Sequence, residues 1–153
     1  MFQRRHARYQ WLRDRSEKEM EVCQAVFEEV SRLLDRRLYR ARQLLHFMKD
    51  LSSKQEKLVA YREVVSQWNE SINRILALLT ISFGREVRDT LDEDVGAEFV
   101  SVGRLLEQAV KGEENLDNDE IARRLDVVGN KVYRFNITML EHIQTKRNQL
   151  YKF

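Results

Sequence analysis

The chain has no proline, five glycines and one cysteine in 153 residues. Without proline, and with glycine this scarce, it lacks the usual means of breaking helices or turning tightly between strands. A charged fraction of 34% completes the profile of long helices. The lone cysteine, Cys23, excludes an intramolecular disulfide framework and fits a reducing compartment. Long apolar runs are also missing: the best, Ile72 to Phe83, is interrupted by Asn73, Arg74 and Thr80 and falls short of a membrane span. The first residues carry charge with no apolar segment behind it, unlike a signal peptide. Together these absences point to a soluble, cytoplasmic all-α chain forming one domain over residues 1–153. An apolar run of about 20 residues upstream of Met1 is what would tie such a chain to a membrane.

What is present is apolar periodicity. Cys23, Phe27, Val30, Leu34, Leu38, Ala41, Leu45 and Met48 advance by threes and fours, which predicts a buried stripe on a first helix over about 2–50. The polar stretch from Arg13 to Glu19 implies that the first twenty residues continue this helix with less packed against it. Ser53-Lys54-Gln55-Glu56 matches a capping box and predicts a second helix over 53–83, striped by Leu58, Tyr61, Val65, Trp68, Ile72, Ile75 or Leu76, Leu79 and Phe83. Gly84 reads as a left-handed stop. A third helix over 85–111 places Val87, Leu91, Val95, Phe99, Val102, Leu106 and Val110 on one face. Gly96 and Gly103 lie within it, explained either by the close approach of a neighbour or by mere tolerance. Asp117-Asn118-Asp119-Glu120 reads as the cap of a fourth helix over 118–152, striped by Ile121, Leu125, Val128, Val132, Phe135, Met139, Ile143 and Leu150.

Four such stripes joined by short turns specify an antiparallel up-down-up-down four-helix bundle, with three helices plus a swapped partner as the competing arrangement. The first helix is much the longest and must overhang. An even number of antiparallel passes also returns the chain to its starting pole, so the two termini become neighbours.

That proximity gives the charge pattern its meaning. The net charge is +2, yet residues 1–15 carry +4 and residues 145–153 carry +3, leaving the remainder at −5. One pole therefore gathers Arg4, Arg5, Arg8, Arg13, Arg15, Lys146, Arg147 and Lys152 with Phe2, Tyr9, Trp11, Tyr151 and Phe153. Cations interleaved with amphipathic rings suit a membrane interface, where guanidinium and ammonium groups meet lipid phosphates. Nucleic acid would use the same cations, but the body of the chain is acidic, which places that reading lower. A protein partner or self-association through the overhang is the other reading, and a solvated helix end is the plain one.

No catalytic constellation is visible. A di-metal carboxylate bundle needs Glu-x-x-His pairs, whereas Gln43 and Met139 precede His46 and His142 by three; His6 belongs to the basic end, and the other two are expected at core edges. Asp92-Glu93-Asp94 and Asp117-Asn118-Asp119 lack the ligand spacing of a calcium loop. Cys23 lies on a stripe, where it would be buried and inert. No nucleophile elbow or glycine-rich phosphate loop occurs. No metal, cofactor or small-molecule substrate is expected, and the chain reads as a non-enzyme.

Asn69, Asn73 and Asn136 stand beside core positions, where amides cost stability unless paired; a cross-helix polar network is expected, with a ligand site between the second and fourth helices as the lesser reading. Tyr61-Arg62-Glu63-Val64-Val65-Ser66-Gln67-Trp68-Asn69, Ile72-Asn73-Arg74, Phe83-Gly84 and Tyr133-Arg134-Phe135-Asn136 resemble segments of uncharacterised bacterial helical proteins that carry one N-terminal membrane span. The resemblance covers about the last 95 residues, and the span itself is not in this sequence. It implies topology rather than activity: a cytoplasmic bundle hung from a membrane by its basic pole.

Overall fold

The computed structural model describes residues 2–113 and 116–151, and among them the chain is helical with no strand. Helix α1 spans Phe2–His46 and α2 spans Leu51–Phe83. The third helix, α3, is composite: a short α segment Arg85–Asp89, a π segment Thr90–Val95 and an α segment Gly96–Val110. Helix α4 spans Asn118–Leu150. Each helix packs on the next in the chain and α4 closes back on α1, the up-down-up-down four-helix bundle that the stripes specify. All four stripes come from one chain, so no swapped partner is needed.

The bundle is held by one continuous core to which every helix contributes. The expected stripes of α3 and α4 are buried from Val87 to Leu106 and from Ile121 to Ile143, with Val110 and Leu150 half-buried at the ends. On α1 and α2 the stripe is rotated slightly: Val26, Leu44 and Val64 are buried where Phe27, Leu45 and Val65 are only half-buried. Each swap is by one residue, the rotation that a bundle with three unlike neighbours imposes on a helix.

The turns hold the main departures. Helix α1 ends at His46 rather than Asp50, because Asp50 is itself the N-cap of α2. Its carboxylate accepts from the Ser52 amide at 3.1 Å and the Ser52 hydroxyl at 2.7 Å, so the expected box at Ser53 does not form and the helix starts two residues earlier. The Asp117 cap forms as expected, accepting from the Asp119 amide at 2.9 Å. Gly84 stops α2 with φ 94° and ψ 166°. This is not the left-handed helical region but the extended positive-φ region that only glycine occupies freely. One residue thus separates α2 from α3, which leaves antiparallel packing as the only course.

Inter-helix contacts set the register. The Cys23 thiol donates to the Ser82 carbonyl at 3.3 Å, and Glu29 pairs with Arg74, aligning α1 with α2. Arg42 and Asp126, 3.6 Å apart, align α1 with α4. On this register α4 ends near residue 18 of α1 and α2 ends near residue 21. Of the 45 residues in α1, about 16 therefore project beyond the bundle, roughly 24 Å of helix. Among the described residues, none before Cys23 is fully buried.

Candidate functional site

The pole is built around this projection. Trp11 and Arg15 of α1, Ile81 and Ser82 at the end of α2, and Lys146 of α4 line one cleft of about 740 Å³. Segments 135 residues apart in sequence thus share a surface, because an even number of passes brings them to one end. Within the cleft Trp11, Val22 and Ile81 are exposed to 58%, 52% and 83%, more apolar surface than a bundle end requires.

The expected cations do not behave as one set. Arg13 and Arg15 form ion pairs with Glu17 and Glu19, each at 3.3 Å and one helical turn away, and Arg15 also lies over the Trp11 ring. Such exposed pairs contribute only about 0.3–0.5 kcal/mol each, but they neutralise the local field. Arg4, Arg5 and Arg8 are exposed and make no ion pair among the described residues. They stand on the projecting segment, whereas Lys146 and Arg147 are half-buried at its base. The pole is therefore two zones, an unpaired basic tip and a mixed-charge root. Lys152 and Phe153, expected at the same pole, lie outside the described residues.

The asparagine network is not formed. Asn69 and Asn73 are exposed on α2, and no hydrogen bond joins either to Asn136 among the described residues. The slight rotation of α2 that buries Val64 and Trp68 carries both amides outward. Asn136 is half-buried, and its Oδ1 is sealed without a hydrogen-bond partner. His46 and His142 are exposed rather than at core edges, His46 edge-on to Phe47 and His142 edge-on to Phe83. No group of three histidine, cysteine or acidic side chains that could hold a metal occurs among the described residues. Asp94 and Glu98 instead share Lys131, at 2.6 and 2.9 Å.

A second site escaped the sequence reading. Arg37 is only 5% exposed, yet no hydrogen bond or ion pair to it occurs among the described residues, and its Nε is sealed without a partner. The guanidinium lies 4.6 Å from the Phe99 ring centre and 5.5 Å from that of Trp68. Burial presses its pKa down, opposed by nearby Tyr61; burial likewise raises Tyr61, with Arg37 opposing. Burying an ion costs several kcal/mol, and two ring contacts return about 4 kcal/mol when desolvated. Rings alone offset that cost only in part. Arg37 forms part of the floor of two adjoining clefts of about 470 and 480 Å³ between α2 and α3. Gly103 makes room on the α3 side for the Tyr61 hydroxyl, since a Cβ there would come within 2.9 Å of it. The signal for this site was present, since position 37 lies three after Leu34 and four before Ala41, on the inward face.

No family model, curated protein or solved structure matches the chain. The class the structure defines is an all-α four-helix bundle with a projecting first helix.

Proposed function

We propose that this protein is a non-enzymatic helical-bundle scaffold or interaction domain that rests on the anionic cytoplasmic face of a membrane through the projecting tip of α1. No helix among the described residues is long and apolar enough to cross a membrane, and the contact proposed is one at its surface. The observation that carries this reading is the tip itself, about 16 residues of helix with Arg4, Arg5 and Arg8 unpaired and Trp11 exposed behind them. A projecting helix of this kind offers cations to lipid phosphates and a ring to headgroup depth.

Co-sedimentation with phosphatidylserine-containing vesicles tests it. Binding should fall as salt rises. Replacing Arg4, Arg5 and Arg8 together by glutamine should weaken it about a hundredfold, at about 1 kcal/mol per cation. Arg13→Gln should do much less, since Glu17 already faces that charge. Binding that is absent, or equal on neutral vesicles, overturns the proposal.

A second reading rests on the apolar root. Trp11, Val22 and Ile81 could equally receive a helix from a protein partner or a second copy of the chain. Light scattering would then give a concentration-dependent dimer that Ile81→Glu dissociates, with no response to vesicles.

A further inference from the structure

We propose that the cleft between α2 and α3 is a binding site for a small oxyanion, a carboxylate or phosphate monoester carrying an apolar body, seated on the guanidinium of Arg37. This site is separate from the basic pole and does not depend on its function.

Arg37 and Tyr61 are each 5% exposed, and neither the guanidinium nor the Tyr61 hydroxyl has a hydrogen-bond partner among the described residues. Buried polar groups are ordinarily paired, and a cation that stays charged at neutral pH is among the costliest to leave without a counter-charge. Of these donors only the Arg37 Nε is sealed; the terminal N–H groups and the Tyr61 hydroxyl remain open to an acceptor in the cleft. The Arg37 fork presents parallel N–H groups, which carboxylate and phosphate oxygens match two at a time. Burial keeps the Tyr61 hydroxyl protonated, hence a donor.

The surroundings select the same charge. Arg104 borders both clefts and Lys111 stands at the outer end of one. The carboxylates present are Glu107 and Asp92. Glu107 is held by Arg62 at 2.6 Å and acts on Tyr61, but neither carboxylate forms an ion pair with Arg37 among the described residues. Val65, Phe99 and Val100 line the same space, and about 470 Å³ accommodates a molecule of metabolite size rather than a bare ion. A charged head on the guanidinium with an apolar body along these walls satisfies both features.

Trp68, whose ring faces Arg37, is the reporter. The chain has two tryptophans, so Trp11→Phe leaves it alone. Phenyl phosphate, benzoate and inorganic phosphate are titrated in that background, with sodium chloride at matched ionic strength as control. Phenyl phosphate or benzoate should change Trp68 emission saturably, with half-saturation at or below about 1 mM, and the tighter of the two identifies the preferred head group. Inorganic phosphate should bind more weakly. Arg37→Met should weaken binding at least about tenfold. Exposed Arg104→Gln should weaken it less, and it preserves the test if the core substitution fails to fold. Three results would overturn the proposal: no saturable change with any probe, the same change with chloride, or binding unaffected by Arg104→Gln and by a folded Arg37→Met.

Discussion

Asp50 and Ser53 compete for the first turn of α2, and the winner is decided by which side chain reaches a free amide. Asp50 sits in an extended conformation, φ −94° and ψ 97°, from which its carboxylate accepts two hydrogen bonds from Ser52. Those bonds hold its carboxyl below the usual range. Ser53 adds smaller contributions to the same carboxylate, so Asp50→Ala should lower the thermal unfolding midpoint by a few degrees and Ser53→Ala by less, as circular dichroism would register. Arg37 is the other instance at this scale. A stripe read as 34, 38, 41 passes over position 37, because a charged residue is ordinarily assigned to the solvent face. Its burial rests on two rings from α2 and α3, partners that lie about 30 and 60 residues away and belong to no local pattern.

Among the elements, α3 departs most from regularity, and its stripe contains the reason. Val87, Leu91, Val95 and Phe99 follow at three successive spacings of four. In an ideal helix each spacing of four overruns a turn by about 40°, so the stripe would drift about 120° from the core. A π segment absorbs one extra residue and realigns it. The Gly96 amide donates to the Leu91 carbonyl five residues back, and a Cβ on Gly96 would lie 3.0 Å from that same oxygen. Glycine is thus placed by its own helix here, whereas Gly103 answers to a neighbour. Deleting exposed Glu93 should convert the segment to α-helix with the core still in register. The deletion variant should unfold cooperatively near the parent's melting temperature, while deleting Ser71 from uninterrupted α2 should cost far more. Equal losses from the two deletions would refute this account of the π segment.

For the whole molecule, lateral ion pairs add to the core. Arg62 with Glu107 joins α2 to α3, and Lys131 with Asp94 and Glu98 joins α4 to α3. Hydrogen bonds from Arg62 hold the Glu107 carboxyl below its ordinary value of 4.5. A lowered folded-state value gives stability that is present above pH 4.5 and disappears as pH falls through the folded pKa. Lys131 is raised by its two carboxylates, so its contribution is present below its ordinary 10.5 and is lost as pH rises through the folded value. Solvent screening limits each to about 1 kcal/mol. The acid side is the easier to isolate: Glu107→Gln should flatten the loss of stability below pH 4.5, measured by urea denaturation, with little effect on the alkaline limb.

Fold class, helix number and topology were legible in the sequence, because apolar spacing and the scarcity of glycine and proline are local properties that survive without coordinates. The meeting of Trp11 and Arg15 with Lys146 at one pole was legible for the same reason, since the parity of the passes brings the start of α1 to the end of α4. The division of that pole into an unpaired tip and a neutralised root required the structure, since Arg13 and Arg15 find acids one turn along while Arg4, Arg5 and Arg8 do not. The asparagine network and the Arg37 cleft turned on a rotation of one residue in α1 and α2. Periodicity determines that a helix has a buried face; only packing against three particular neighbours decides where the edge of that face falls, and it is there that the unpaired guanidinium sits.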